Sequence, residues 1–570
     1  MNGKLESLTF CQALQRLYGE LPDQTVIYLQ HAGQADRPIS YRELIHGAAA
    51  YERALREQGI QPGEVVVLIL QHGSDLIFSF WGAVLRGAIP SIMPFLTEKL
   101  LPERYRADLA SLVNVTRPAA IITYAEFESE VRAALKPDTS VRTVMVTQGV
   151  GAPEQPDFER LGGTQRTPDD IVLLQHSSGT TGLQKGVALS HRAVFNQLRS
   201  YSQVLKLNDR DVIVSWLPLY HDMGLIAGFI MPILCAVPVV MMSPFDWVRA
   251  PYRLLQAVSR YRGTLSWLPN FAYNFCAQKI RDHHLEGVDL SSWRAISNCS
   301  EPVRYESHQM FLERFRAYGL RPEALATCYA MAENVFAVTQ GGIDEALTVD
   351  EIDRETFQSK WLAKPAVPDK PSVRMVACGR PIPNVEVKIL SSHGKELPER
   401  HVGEIALRSD CMLTGYYNRP DATAKAFLNG WYLTGDYGYM VDGELYVSGR
   451  KKDIIIVGGK NIYPQDLEEL AMTVPGVHPG RVSAFGVYNE ETGTEDVVIV
   501  AEVDTDDSKE RERIAEEIRE AVTRGSAIAL RQAYIVGPHW LVKTSSGKNA
   551  RSYNREKYLA EIAGRPWVMP

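Results

Sequence analysis

Residues 65–70 read Val-Val-Val-Leu-Ile-Leu, an apolar run with no polar interruption. A strand with one wet face alternates in polarity, so an unbroken run of this length must be covered on both faces, as in a parallel sheet between helices. The flanks supply the helices. Ser40-Tyr-Arg-Glu43 has the spacing of a capping box, in which Ser40 accepts from a backbone N–H and Glu43 reaches back. The helix it opens is expected to run through 48–56 and to stop at Gly59, and a second helical pattern covers 76–85. Further short β runs stand at 119–123, 143–147 and 171–175. This alternation predicts an α/β domain with a largely parallel sheet.

The last third changes character. Short strands with Gly-containing turns are expected at 402–407, 431–433 and 444–447, forming a small β unit. After Arg450-Lys-Lys-Asp453 come a strand at 454–457, the pair Gly458-Gly459, a helix from Pro464 and a strand at 497–503. A charged helix at 507–524 carries Ile514, Ile518, Ala521 and Val522 on one face. The expected fold class is therefore α/β. It has a large N-terminal domain of several subdomains over 1–450, with mostly parallel sheets and the small β unit. A small α+β C-terminal domain occupies 451–570.

Composition excludes several classes. At roughly 100–200 residues per domain, 570 residues make about three to five compact units. With 45% hydrophobic and 23% charged residues, disorder, collagen and coiled coil do not fit as the main architecture. Lys plus Arg is 61 against 68 Asp plus Glu, a formal charge of −7, which disfavours nucleic-acid binding by bulk charge. Seven scattered cysteines without a Cys-x-x-Cys pair read as reduced thiols of a cytoplasmic protein. No secretory signal is apparent at the N-terminus. The stretch 224–242 is almost wholly apolar, but Pro232 and Pro238 divide it, so a buried helix followed by a core strand is expected rather than a membrane span.

The strongest chemical signal is Ser177-Ser-Gly-Thr-Thr-Gly-Leu-Gln-Lys-Gly186, placed after the strand 171–175 and before a helix beginning near His191. Its glycines permit close backbone approach, its hydroxyls donate, and Lys185 adds a mobile positive charge, together an anion cradle. The spacing is not that of a Walker loop. Further along stand Leu219-Tyr-His-Asp-Met-Gly224, Ser300-Glu-Pro302, Tyr329-Ala-Met-Ala-Glu333 and Gly415-Tyr-Tyr417. Thr434-Gly-Asp436, Gly449-Arg-Lys-Lys-Asp453 and Lys543-Thr-Ser-Ser-Gly-Lys548 complete the series. In this order the motifs resemble the adenylate-forming superfamily of acyl-CoA synthetases, firefly luciferase and peptide-synthetase adenylation domains, over nearly the whole chain.

The resemblance implies the adenylate-forming enzyme fold, ATP and Mg²⁺ as cofactors, and a set of roles. Ser178, Gly179, Thr180, Thr181, Gly182 and Lys185 would hold the β- and γ-phosphates. Glu333 is a hard oxygen ligand for Mg²⁺. Tyr329 would offer an aromatic face to adenine, with Ser300 and Glu301 lining the same slot. Asp436 would accept from the ribose hydroxyls, and Arg450 would donate to the ribose and phosphate region. Lys548 would bridge substrate carboxylate and α-phosphate, and His221 would lie near the acyl and thiol sites. Each has a local alternative: a turn residue at Asp436, linker charge at Arg450, a structural carboxylate at Glu333, a surface lysine at Lys548 and a structural histidine at His221. Ala330, Gln184, Val542 and Asn549 depart from the usual pattern without removing a charged group.

Within the superfamily the chain looks most like fatty acyl-AMP ligases, through 215–225, Pro269-Asn-Phe-Ala-Tyr273 and Ser259-Arg-Tyr-Arg262. The long segment 343–377 matches the place where that branch carries an insertion. Its apolar anchors Ile352, Phe357 and Trp361 predict that it packs, and the resemblance puts it between the two domains. The activity implied is conversion of a long-chain fatty acid to acyl-AMP and pyrophosphate, followed by transfer to the phosphopantetheine thiol of a separate acyl carrier protein in polyketide or peptide assembly. The alternatives are an acyl-CoA synthetase using free coenzyme A, or a non-catalytic nucleotide-binding module.

Overall fold

The computed structural model describes residues 8–95, 102–176, 185–526, 528–544 and 547–565. Val65–Leu68 is an interior strand of a seven-stranded sheet, paired in parallel with both Ile89–Ile92 and Ala120–Thr123. Both its faces are buried, which explains the unbroken apolar run. Parallel pairing continues outward to Thr143–Val146 on one side and Ile171–His176 on the other. Gly186–Ser190 then pairs antiparallel with Ile171–His176, and Gly415–Tyr416 closes that edge. The capping box at Ser40 is formed on both sides and opens the helix Tyr41–Glu57. That helix lies against Ser74–Arg86 so closely that a Cβ on Gly82 would stand 2.5 Å from Tyr51 Cβ.

A second sheet has nine strands, and its core is parallel: Thr25–Gln30, Val239–Met242, Ile213–Ser215, Leu265–Leu268, Ala295–Asn298 and Leu325–Ala330. Antiparallel strands cap its edges at Arg37–Ser40, Ala337–Gly341 and Arg380–Pro381. The small β unit is an antiparallel five-stranded sheet built on Gly403–Ser409, Trp431–Val441 and Glu444–Arg450. Beyond it, Val477–Asn489, Thr494–Val503 and Leu530–Val536 make a three-stranded sheet covered by the helices Pro464–Met472, Ser508–Ser526 and Arg551–Ile562. Its apolar clusters draw only on residues 455–559.

Three local details go beyond what the sequence predicts. The helix expected near His191 is His191–Val204, and directly before it stands a strand not expected from sequence, Gly186–Ser190, antiparallel to Ile171–His176. The strand expected at 431–433 extends over Trp431–Val441, because its long partner Glu444–Arg450 pairs along it. The apolar stretch after Asp222 is a buried π-helix, Met223–Ile230, whose wider turns show in the Met231 N–H donating to the Ile226 carbonyl five residues back. It passes through a short α-helix to the core strand Val239–Met242. Among the described residues no helix is long and apolar enough to cross a membrane.

The segment 343–377 is ordered by its own hairpin, Val349–Asp353 against Ser372–Val376, with the helix Arg354–Lys360 between. Ile352 and Phe357 are buried in a cluster with Tyr439, Val441 and Tyr446 of the small β unit, and Trp361 packs edge-on to Tyr437. The same helix reaches forward. Phe357 stacks on Tyr463 at 5.4 Å, Asn461 donates to the Gln358 carbonyl at 3.0 Å, and Arg354 donates to the Gly525 carbonyl.

Candidate active site

The crevice lies where parallel strands of the second sheet end, the position at which open α/β sheets hold ligands. Tyr329 is near the end of Leu325–Ala330, Ser300 follows Ala295–Asn298 at φ 73°, and Asn270 follows Leu265–Leu268. From the seven-stranded sheet, Gln175 donates to the Tyr220 carbonyl at 3.1 Å, tying the strand that leads into the Ser/Thr/Gly loop to the segment bearing His221. Ser178, Gly179, Thr180, Thr181 and Gly182 lie outside the described residues; Lys185 is described.

Asp436 and Arg450 face each other across an antiparallel pair, with Arg450 Nε 3.6 Å from Asp436 Oδ1. The buried Tyr329 hydroxyl donates to Asp436 Oδ2 at 2.7 Å. Burial and the Asp436 charge push that phenol far above its ordinary range, so it stays a donor. The Asp436 charge holds Arg450 above its ordinary range, outweighing the opposite effect of burial, so it stays charged. These residues together present two carboxylate oxygens, a forked donor and an aromatic face in one place.

Glu333 sits in the short turn Ala332–Asn334, which ends in strain. The Phe336 N–H donates to the Asn334 carbonyl at 2.7 Å, closing a three-residue turn through Val335 at φ 63°, ψ −56°. Burial raises the Glu333 carboxyl, a hydrogen bond from Tyr416 lowers it, and the nearby Asp222 raises it again. The Tyr416 hydroxyl donates to Glu333 Oε1 at 2.9 Å, and the Lys185 ammonium stands 4.4 Å from the centre of the same ring. A half-buried carboxylate with another carboxylate near it fits a hard divalent cation that takes its remaining ligands from phosphate and water.

Asp222 starts the π-helix, accepting from the Met223 N–H at 2.9 Å. Lys548 comes to it from the other end of the chain: its charge lowers both the Asp222 carboxyl and the His221 imidazole. Burial is the larger cause for each, raising Asp222 and taking His221 down to about 3. His221 is thus neutral at ordinary pH, and its Nε2 is buried with no hydrogen-bond partner among the described residues. Lys548 is carried by a tight loop in which its N–H meets Thr544 Oγ1 at 3.1 Å and its carbonyl accepts from the Thr544 N–H at 2.9 Å. Asn549, the departure beside it, donates to Glu468 at 2.9 Å and to the Val482 carbonyl at 2.8 Å.

Lys185, Glu333, Asp436, Arg450, Tyr329 and Lys548 therefore line neighbouring parts of one crevice. Ser300 lies at its edge, its hydroxyl 3.9 Å from Met223 Sδ. Glu301 is otherwise engaged, its carboxylate accepting from the Phe271 N–H at 3.0 Å at the start of the helix Asn270–Lys279. Tyr416, Tyr432 and Asp222 were given no role from sequence. Tyr416 and Asp222 lie inside quoted motifs, and only their side-chain directions reveal the contacts.

A fold of this kind with this crevice defines an adenylate-forming ligase. The chain belongs to the AMP-binding enzyme family, which it matches over residues 15–417. It is 30% identical to JamA of Moorena producens, a medium-chain-fatty-acid–[acyl-carrier-protein] ligase, over 93% of this chain and 92% of that protein. It is 29% identical to a putative acyl-CoA synthetase of Caulobacter vibrioides, again over 93% and 92% of the two chains. A solved structure from studies of fatty acyl-adenylate ligases of E. coli and L. pneumophila superposes with a TM-score of 0.89 at 28% identity, covering 98% of this chain and 100% of that one.

Proposed function

We propose that this ligase activates a fatty acid with ATP, forming fatty acyl-AMP and pyrophosphate, and then passes the acyl group to the phosphopantetheine thiol of an acyl carrier protein. The observation that carries the reading is Lys548, whose charge reaches His221 and Asp222, while Asp222 in turn acts on Glu333. A donor from the C-terminal part thereby stands at the crevice that holds the nucleotide residues. Attack of one anion on another needs charge neutralised where it develops, and in this reading Lys548 does that between carboxylate and α-phosphate. Lys185 and the loop before it hold the outer phosphates, Asp436 the ribose and Arg450 the ribose and phosphate edge. Tyr329 covers the adenine. Glu333 would hold Mg²⁺, which when bound offsets phosphate charge.

Residues 1–450 form the large unit in this reading and 451–570 the mobile one. The segment 343–377 joins them and biases the second step toward a carrier over free coenzyme A. The name of JamA supports the carrier; the name of the C. vibrioides relative favours coenzyme A as the second reading. A cytoplasmic setting suits seven unpaired cysteines. Pyrophosphate exchange with fatty acids of graded length, with mass spectrometry of products with and without coenzyme A, tests all of this. Fatty-acid-dependent exchange with little acyl-CoA is expected. Efficient acyl-CoA formation would select the synthetase, and absence of exchange a non-catalytic module.

A further inference from the structure

We propose that Tyr416 is a positioning residue that keeps Lys185 and Glu333 apart, so that the phosphate-binding cation and the cation-binding carboxylate are both free when ATP arrives. The inference rests on the adenylate-forming reading of the crevice. Tyr416 is 5% exposed and uses its two ends differently. The ring face takes the Lys185 ammonium at 4.4 Å, and the hydroxyl donates to Glu333 Oε1 at 2.9 Å while meeting the Tyr432 hydroxyl at 3.0 Å. Among the described residues no ion pair joins Lys185 to Glu333. Two opposite charges this close to one side chain in a partly desolvated site attract strongly. An ion pair between them would withdraw both from substrate. A π face holds an ammonium more weakly than a carboxylate does, so it yields the lysine to an incoming phosphate.

The backbone makes Tyr416 a fixed spacer. Tyr416 pairs with Val187 across the sheet edge, and the Tyr417 N–H donates to the Gly186 carbonyl at 2.8 Å, next to Lys185. Three residues earlier, the Leu413 N–H donates to the Glu333 carbonyl at 2.8 Å. Thr423 Oγ1 accepts from the Tyr416 N–H at 2.9 Å. One short segment, 413–417, therefore holds the backbone of Glu333 and that of Gly186 next to Lys185, and sets its ring in contact with both charged side chains.

The test is ATP binding by calorimetry, first in EDTA and then with Mg²⁺, on wild type, Tyr416→Phe, Tyr416→Leu and Tyr416→Leu/Glu333→Gln. Tyr416→Phe keeps the ring, so binding in EDTA should stay within about twofold while the gain on adding Mg²⁺ falls by roughly three- to tenfold. Tyr416→Leu should lose about tenfold already in EDTA, because Lys185 turns to Glu333. Removing the Glu333 charge in the double variant should bring most of that back, a rescue that general damage would not give. Thermal unfolding checks each variant, and Tyr416→Met replaces Tyr416→Leu if the latter does not fold. The proposal is overturned if Tyr416→Leu (or Tyr416→Met) binds ATP in EDTA as wild type does, if the double variant is no better, or if Tyr416→Phe matches Tyr416→Leu. Wild type that binds ATP without carboxylate-dependent exchange would remove the adenylation reading and leave Tyr416 to be judged on binding alone. Wild type that binds no ATP would remove both.

Discussion

Single residues carry the charge logic of this crevice. Lys548→Ala should leave ATP binding largely intact and cut adenylation by about 10²–10³, the usual effect of losing one preorganised donor to developing charge. Near-normal pyrophosphate exchange would take Lys548 out of the mechanism. Buried imidazoles set a different limit. Burial takes His176 and His308 down to about 4 and His191 to about 3. The neutral rings are put to use: His191 Nδ1 accepts from the Phe10 N–H at 3.0 Å, and His308 Nε2 lies 2.9 Å from Asn298 Nδ2. Folded pKa values below the unfolded 6.5 mean that the unfolded chain binds more protons as pH falls. Stability should therefore be undiminished by these groups above pH 6.5 and decline from there toward pH 4, by at most about 1.4 kcal/mol per pH unit for each histidine. Urea midpoints measured across that range check the sign; a flat profile would contradict it. The residue types at the site were legible as motifs, yet the roles of Tyr416 and Asp222 were not, because a spacing along the chain does not say what a side chain meets.

At the scale of elements, the segment 343–377 has the most to decide. Its helix Arg354–Lys360 is anchored by Ile352 and Phe357 in the small β unit and holds Tyr463, Asn461 and the Gly525 carbonyl beyond it. A contact worth a few kcal/mol moves a conformational equilibrium by orders of magnitude. Phe357→Ala, or deletion of the segment, should leave acyl-adenylate formation mostly intact and raise acyl-CoA production. Unchanged thiol choice in a folded deletion variant would sink the idea. Two other elements escape sequence patterns. An apolar run says "buried helix" equally for an α- and a π-helix, since without polar residues in Met223–Ile230 no period can be read. The hairpin partner Gly186–Ser190 was read through because a short strand directly before a capped helix offers no turn signal between them.

For the whole molecule, the resemblance to the adenylate-forming superfamily implies a pivot at Lys452, just past the end of Glu444–Arg450. The orientation seen is held by Arg304, which meets Asp466 at 2.7 Å and Glu469 at 3.6 Å, as well as by the segment 343–377. Lys452→Pro fixes φ near −65° and removes one N–H. It should impair one half-reaction more than the other; equal loss of adenylation and thiol transfer in a folded protein would indicate general damage. By itself the sequence determined the parallel α/β core, the capped helix at Ser40, the later change to a small β unit and a separate α+β part, and the ordered set of charged residues. Those features follow from local physics, since face coverage, capping and motif chemistry are written within a few residues of one another. Tertiary structure alone decided that Lys548 stands by Asp222, that Glu301 caps a helix, and that Tyr416 meets both Lys185 and Glu333. Each joins residues some 30 to 330 positions apart, and such meetings depend on how whole sheets and helices pack.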